Sequence, residues 1–83
     1  MTNFRSHDLK TYPFYFNAVL VGMKKFEVRK NDRDFKIGDF LYLKEFDPKS
    51  KSFTGRSSTH QIIYILPGGQ FGIEEGYVVL GLD

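Results

Sequence analysis

The residues best suited to chemistry lie together in the middle of the chain, between Gly22 and Asp39. This segment holds six cations and four carboxylates, together with apolar residues such as Phe26 and Phe35. Because charged side chains are rarely buried in a small core unless they are paired, we expect the segment to line a surface. The spacing of its charges favours one shared groove over scattered solubility charges.

Three side chains, Lys24, Glu27 and Arg29, define the expected groove. Glu27 and Arg29 lie two residues apart on an expected strand, so they share one face. The planar guanidinium of Arg29 suits a phosphate or a base edge, and Lys24 supplies a point charge for phosphate. Glu27 either orients Arg29 or accepts from an exocyclic amine of a base. Further site residues are expected at the rim, at Arg33, Lys10 and His7, and at a stacking face for an unpaired base, Tyr15.

A structural explanation for the same residues stays open. A surface ion pair of Glu27 with Arg29, worth about 0–1 kcal/mol, accounts for the charges without any ligand. His7 either caps the groove or holds the first segment in place. Phe35 is expected in the core rather than at a stacking face.

One helix is predicted ahead of the groove, and both of its ends are marked. Pro13 fits a first helical turn, because its missing N–H costs nothing there, and Gly22 is a natural C-terminal stop. Between these markers, apolar residues recur at helical spacing, at Tyr12, Phe16, Val19, Leu20 and Met23. The pattern predicts a helix of about ten residues.

Strands are predicted after this helix. Phe26 and Val28 alternate with charged residues, which predicts a half-buried strand with these two side chains in the core. Further strands are predicted at residues 40–46, 59–66 and 77–82, and further core positions at Leu41, Leu43, Ile63 and Ile65. Gly38 is expected to adopt a positive φ, and Asp39 to hydrogen-bond within its own turn. Short strands around one helix predict an α+β fold, a small and mostly antiparallel β-barrel with its main helix near the N-terminus.

The composition of the chain limits the kinds of function that it can have. The 83 residues predict a single domain, 1–83, and the chain has no cysteine and only two histidines. Disulfides and thiolate metal sites are therefore excluded, a zinc site is unconvincing, and a reducing cytoplasm is the expected compartment. No apolar run approaches the ~18–20 residues of a membrane span. Residues 1–8 lack the apolar stretch of a secretory signal, so neither a membrane partner nor export is expected.

The net charge of +2 is small, but its distribution is uneven. Residues 24–36 hold six Lys and Arg against three acids, whereas the chain outside residues 24–36 and 44–56 holds two against five. A local basic field attracts phosphate even where the total charge is near zero. The charge pattern therefore favours an anionic ligand near the groove, against the alternative of a solvated, mixed-charge surface.

The motif Gly22-x-Lys24-x-x-Glu27-x-Arg29, followed by Gly38-Asp39, resembles the ASCH superfamily. This superfamily is named for its homology to activating signal cointegrator and is related in fold to the PUA domains of RNA-modification enzymes. The likeness spans nearly the whole chain and is closest to a small bacterial and phage branch of mostly unassigned function. Its motifs there are His7-x-Leu9-Lys10, Tyr15-Phe16, the run from Glu27 to Phe35, Glu45-Phe46, Thr54-Gly55-Arg56 and the run from Gly76 to Leu80. The resemblance implies a PUA-like β-barrel with a cleft beside the helix, and a role in binding RNA.

Some ASCH relatives resemble amidohydrolases that remove an acyl group from modified cytidine with a Lys, a Thr nucleophile and a Glu. Lys24 matches that Lys, but Glu27 occupies the Thr position, and a carboxylate does not replace a hydroxyl nucleophile without changing the chemistry. The sequence therefore favours a domain that binds RNA or a nucleotide-like ligand without a cofactor. The alternatives are a small amidohydrolase acting on a modified nucleoside and a protein-interaction module. The oligomeric state is left open.

Overall fold

A computed structural model, which describes residues 3–83, contains one helix and five strands within that range. In chain order the elements are β1 (Ser6–Thr11), α1 (Pro13–Leu20), β2 (Phe26–Lys30), β3 (Phe40–Asp47), β4 (Ser52–Pro67) and β5 (Tyr77–Leu82). The α+β class and the single helix near the N-terminus are as predicted. Met1 and Thr2, which begin the segment expected to lack a secretory signal, lie outside the described residues.

The helix begins and ends close to its sequence markers. Pro13 is its first residue, and it ends at Leu20 after eight residues, slightly shorter than expected. Gly22 follows with a φ of +82°, a left-handed conformation that glycine adopts without steric cost. Only Phe16 and Val19 of the helix are buried, so α1 contacts the sheet along a narrow stripe.

The strands form one mixed sheet with the order β1-β3-β4-β5-β2. β1 pairs with β3 in parallel, and the other three pairings are antiparallel, which confirms the mostly antiparallel prediction. β4 is long because it pairs with β3 through Gln61 and with β5 from Ile62 onward, and the register shifts between Ile62 and Tyr64. The sequence analysis did not predict β1.

β1 and β2 are the two edges of this sheet, and their backbones do not pair with each other within residues 3–83. The closed barrel predicted from the strand pattern is therefore not what the sheet forms. Arginine side chains reach across instead: Arg29 Nη2 donates to the Lys10 carbonyl at 3.2 Å, and Arg33 Nη1 donates to the Asp8 carbonyl. The two edges lie within reach of one guanidinium group.

The core lies between α1 and the face of the sheet that carries the buried residues. Its buried apolar side chains are Leu9, Phe16, Val19, Phe35, Leu41, Leu43, Ile62, Val78, Leu80 and Leu82, and Ile65 packs against them. The core positions predicted at Phe35, Leu41 and Leu43 are confirmed. No helix within residues 3–83 is long and apolar enough to cross a membrane.

The core prediction is wrong for Phe26, Val28 and Ile63, which are 46%, 52% and 56% exposed. The side chains of β2 alternate between two faces as predicted, but the face that points into the protein is the one with Glu27, not the one with Phe26 and Val28. Glu27, opposite Leu80 in the register, is only 3% exposed. The expectation that the charged face of this strand lies on the surface is therefore wrong for Glu27. Its burial is tolerated because the carboxylate is paired.

Candidate functional site

A hollow of about 440 Å³ opens where the end of β1, α1 and β2 meet. Its lining residues are Lys10, Thr11, Tyr12, Tyr15, Lys24, Phe26, Glu27, Val28 and Arg29. We refer to it as the β2 hollow. Its volume lies within the range of about 300–1,000 Å³ that is usual for small-molecule sites. Five of the seven predicted site residues line it, namely Lys24, Glu27, Arg29, Lys10 and Tyr15.

Local backbone structure explains how Lys24 comes to this place. Gly22 turns the chain at the end of α1, and the backbone N–H groups of Met23 and Lys24 both donate to the Ala18 carbonyl at 3.0 Å. The N–H of Leu82 then donates to the Lys25 carbonyl, which aligns the chain with β5 as β2 begins. The helix end therefore fixes Lys24, and the strand pairing fixes the residues that follow.

Glu27 is the electrostatic centre of the β2 hollow. Its Oε2 accepts from Lys24 Nζ at 2.5 Å, and its Oε1 accepts from Arg29 Nε at 3.1 Å and from Arg29 Nη2 at 2.7 Å. Both carboxylate oxygens are therefore engaged by cations of the chain itself. Of the two roles considered for Glu27, this geometry fits the one that orients Arg29. We refer to Lys24, Glu27 and Arg29 as the Glu27 cluster.

Arg29 also ties β2 to the end of β1. Its Nη2 donates to Thr11 Oγ1 and to the Lys10 carbonyl, each at 3.2 Å. Thr11 is itself buried and donates to the Leu9 carbonyl at 3.4 Å. Within residues 3–83, no protein acceptor is bonded to Arg29 Nη1, and the Arg29 side chain is 25% exposed. The Nε and Nη2 atoms of this guanidinium therefore support the structure.

Aromatic rings surround these charges. Tyr12, Tyr15 and Phe26 line the β2 hollow and are each about half exposed. Lys24 Nζ lies 4.7 Å from the centroid of the Phe26 ring and 5.9 Å from that of Tyr15, which is within cation–π distance. The β2 hollow thus combines exposed ring faces with three cations, Lys10, Lys24 and Arg29, against the single carboxylate of Glu27.

Two predicted rim residues, Arg33 and His7, do not line the β2 hollow. Arg33 bridges to the Asp8 carbonyl on the edge of β1. His7 is buried, its Nε2 is 2.9 Å from Asp39 Oδ2, and its ring packs edge-on against Phe35 at 4.8 Å between centroids. His7 therefore holds the first strand in place, which was the second of the two roles considered for it.

Asp39 forms a separate buried cluster. As predicted, it bonds within its own turn, by accepting from the Lys36 N–H at 3.1 Å, and Gly38 beside it has a φ of +99°. Burial acts to raise the pKa of Asp39, but hydrogen bonds from His7 and from the N–H groups of Arg5 and Lys36 outweigh it, and the pKa lies below its ordinary value. We refer to Asp39, His7, Arg5 and Lys36 as the Asp39 cluster. Within residues 3–83, no group of three His, Cys, Asp or Glu residues is placed to hold a metal ion.

Sequence reasoning missed four lining residues of the β2 hollow: Thr11, Tyr12, Phe26 and Val28. Tyr12 was interpreted as part of the helix, and Phe26 and Val28 as core. A signal for Tyr12 was present, because a residue directly before proline favours an extended conformation, which places Tyr12 ahead of the helix and not within it.

Comparison with known proteins places this chain in a family. Residues 6–82 match the family described as "Domain of unknown function (DUF3850)". The chain belongs to the DUF3850 family. Every lining residue of the β2 hollow falls within the matched span, so the hollow is part of the DUF3850 domain itself.

The DUF3850 chain is also similar to a protein of Escherichia phage P2, named "Uncharacterized 12.9 kDa protein in GpA 3'region". The two are 44% identical over 50 residues, which is 60% of this chain and 44% of the phage protein. The match therefore covers less than half the length of the phage relative.

Proposed function

We propose that this DUF3850 chain binds RNA or a nucleotide-like ligand in the β2 hollow. One observation carries the proposal: three cations and three half-exposed aromatic rings line the same volume of about 440 Å³. The cations attract phosphate, and an aromatic face stacks on any base for about 1–3 kcal/mol. With Glu27 as the one lining carboxylate, the formal charge of the lining residues is +2, which favours an anionic ligand.

The roles follow from the contacts. Arg29 Nη1 and Lys24 Nζ bind phosphate oxygens, and Glu27 holds these two cations in position through its two oxygens. Tyr15 and Phe26, whose ring centroids lie 5.9 and 4.7 Å from Lys24 Nζ, provide the stacking faces. Glu27 does not read a base edge, because it is only 3% exposed and its oxygens already accept three hydrogen bonds from Lys24 and Arg29.

We also propose that the chain is an ASCH-type domain and that its sheet is an incompletely closed, PUA-like barrel. The Gly22-to-Arg29 motif supports this, since its three charged residues, Lys24, Glu27 and Arg29, line the β2 hollow. The bridging of β1 and β2 by Arg29 supports it as well, because a sheet whose edges approach this closely is curled toward closure.

Binding of nucleoside monophosphates and of a short mixed-sequence RNA, measured by titration calorimetry at several salt concentrations, tests the proposal. We expect saturable binding that weakens as salt rises, because phosphate contacts release counterions. Tyr15→Ala should weaken binding roughly tenfold through the lost stacking. Lys24→Gln should weaken it and also reduce its salt dependence.

Lys25→Gln is the matched control, since Lys25 is adjacent in sequence, is exposed and does not line the β2 hollow. Its binding should stay close to that of the unaltered chain. If none of the probes binds, the proposal fails. If Lys25→Gln and Lys24→Gln weaken binding equally, the ligand responds to a general basic field and not to this site.

Hydrolysis of a modified nucleoside is the second candidate, because an aliphatic hydroxyl, Thr11 Oγ1, lines the β2 hollow beside the phenols of Tyr12 and Tyr15. That oxygen accepts from Arg29 Nη2 at 3.2 Å and donates to the Leu9 carbonyl, and no contact within residues 3–83 pairs it with a base. The geometry therefore favours binding over nucleophilic attack. Incubation with acylated cytidine distinguishes the two: release of free acid, lost in Thr11→Val, would favour hydrolysis.

A further inference from the structure

A second hollow, of about 310 Å³, lies on β3 and β4. Its lining residues are Lys44, Phe53, Gly55, Arg56 and Ser57, none of which takes part in the β2 hollow. We refer to it as the β4 hollow. Gly55 has a φ of +93° and no atom within 4 Å of the place where a Cβ would stand, so the missing side chain leaves open space there.

A row of aromatic rings connects the two hollows. Tyr12 lines the β2 hollow, Phe53 lines the β4 hollow, and Phe46 stands between them. The Tyr12 and Phe46 centroids are 6.5 Å apart, and those of Phe46 and Phe53 are 5.2 Å apart. Tyr12 and Phe53 are 48% and 57% exposed. We refer to Tyr12, Phe46 and Phe53 as the aromatic ridge.

Two lysines, Lys10 and Lys44, lie beside the aromatic ridge. Lys10 Nζ lies 4.5 Å above the Phe46 ring, and Lys10 is the register neighbour of Lys44 on the adjacent strand. Both lysines are exposed. Lys44 pairs with the exposed Asp8 at 2.9 Å, a contact that is open to solvent and easily exchanged for a phosphate.

Arg56 adds a further cation to the β4 hollow. Its guanidinium is stacked over the Phe16 ring, is bonded to Asn17 Oδ1 at 3.1 Å and lies 3.8 Å from Glu45 Oε1. The Arg56 side chain is nevertheless 50% exposed. It is therefore held in a fixed place while part of its surface stays open to a ligand.

We infer that a single RNA strand of several nucleotides crosses the aromatic ridge, with one end in the β2 hollow and its continuation in the β4 hollow. The inference deepens the proposed function and rests on it. The path from Tyr12 to Phe53 takes two ring-to-ring steps of 6.5 and 5.2 Å, each longer than the spacing of about 3.4 Å between stacked bases along one strand. Because the two hollows share no lining residue and lie at opposite ends of this path, a strand of more than one nucleotide is needed to cover both.

Two uridine probes of different length test the inference. Uridine 5′-monophosphate reaches the β2 hollow alone, whereas octauridylate is long enough to reach both. We expect octauridylate to bind at least about tenfold more tightly, since each additional stacked base adds affinity. Titration calorimetry measures both affinities in the same buffer.

Phe53→Ala and Lys44→Gln each alter the β4 hollow alone. Both should weaken octauridylate binding, Lys44→Gln several-fold and Phe53→Ala by up to about tenfold. Neither should change the binding of uridine 5′-monophosphate. Lys44→Gln should also make octauridylate binding less dependent on salt. The matched controls are Phe71→Ala, which removes an 82% exposed ring outside both hollows, and Lys49→Gln, which removes a turn cation.

Phe46 and Phe53 are also register partners on β3 and β4, so their contact stabilises the sheet whether or not RNA binds. Thermal melting of each variant accounts for this contribution. If Phe53→Ala lowers the melting temperature without weakening octauridylate binding, the aromatic ridge is structural and the inference is overturned. If Phe53→Ala does not fold, Lys44→Gln still tests the inference. The Lys44 side chain is about half exposed, so its replacement should not prevent folding.

Failure of the inference is distinct from failure of the proposed function. If uridine 5′-monophosphate binds and octauridylate binds no more tightly, the strand does not cross the aromatic ridge, and the β2 hollow stays a nucleotide site. If neither probe binds, and the mixed-sequence RNA also fails, the proposed function itself is wrong.

Discussion

Two carboxylates are equally buried in this molecule, yet their surroundings differ. Glu27 is 3% exposed and Asp39 is 2% exposed. Each accepts hydrogen bonds on both oxygens, and each has an arginine nearby. A search for functional sites that relied on buried charge alone would treat them as equivalent.

The partners of Asp39 are mostly backbone groups or buried rings. The N–H groups of Arg5 and Lys36 donate to it at 3.1 Å, and His7 Nε2 lies at 2.9 Å. The space beside it is filled: a Cβ on Gly38 would stand 2.4 Å from the Phe4 ring. The Asp39 cluster therefore joins the N-terminal strand to the turn before β3, and none of its residues lines either hollow.

Glu27 is held by two long side chains instead. Lys24 and Arg29 reach it from different segments, and both remain partly exposed, at 19% and 25%. Their outer surfaces border the β2 hollow. The comparison shows that a buried carboxylate belongs to a candidate site when its partners are side chains that also border open space. The degree of burial of the carboxylate does not distinguish the candidate site from the structural cluster.

The largest expected effect is that of Asp39→Ala on stability. Removing the carboxylate leaves the partly buried N–H groups of Arg5 and Lys36 and the buried His7 ring without their acceptor, which should lower the free energy of unfolding by about 3–5 kcal/mol. Urea denaturation measures this. Nucleotide affinity, measured on the folded fraction, should stay unchanged, and a loss of affinity would mean that the two clusters are coupled.

Arg29→Ala is expected to have a smaller effect on stability and a large one on binding. It leaves Glu27 with only Lys24 and removes the bridge to Thr11 and Lys10, which should cost about 2–3 kcal/mol of unfolding free energy. Nucleotide binding should be lost at the same time. Arg29→Lys restores the charge but cannot reproduce all of the hydrogen bonds, so it should recover part of each property. Unchanged binding in Arg29→Ala would remove Arg29 from the site.

The difference between the two clusters also explains what the sequence could and could not predict. Glu27, Arg29 and Lys24 were predicted together because alternation places the first two on one face and Gly22 ends the helix just before the third. Alternation does not say which face is inner, and the assumption that Phe26 and Val28 fill the core made that choice wrongly. The double pairing of Glu27, which makes its burial possible, depends on three-dimensional proximity.

β1 escaped prediction for a related reason. Its inward residues are His7, Leu9 and Thr11, of which only Leu9 is apolar, so no hydrophobic alternation is visible. The polar members are buried because each has a partner far along the chain: Asp39 for His7 and Arg29 for Thr11. The helix, in contrast, was predicted from local markers, Pro13 and Gly22, which act through backbone conformation alone.

Acidification should weaken the Asp39 cluster. The pKa of Asp39 is lower in the folded chain than in the unfolded one, so its contribution to stability is complete above the unfolded pKa and is lost as pH falls through the folded value. The charged groups that face it are the Arg5 guanidinium and, when protonated, the His7 ring. Unfolding free energies measured between pH 7 and pH 2 should fall more steeply for the unaltered chain than for Asp39→Asn. Parallel curves would show that Asp39 contributes nothing to acid sensitivity.

Lys36→Ala should have the smallest effect, and it separates the two kinds of partner. Lys36 contributes its backbone N–H to Asp39, while its side chain pairs, among the described residues, with the exposed carboxylate of Asp34 at 3.2 Å. The substitution keeps the N–H and removes a solvent-exposed ion pair, so the free energy of unfolding should change by no more than about 0.5 kcal/mol. Lys24→Ala, which removes a side chain bonded directly to Glu27, should cost more in the same denaturation experiment. Equal losses in the two variants would mean that the Lys24 side chain stabilises Glu27 no more than an exposed ion pair does, and the contrast between the Glu27 and Asp39 clusters would no longer identify the candidate site.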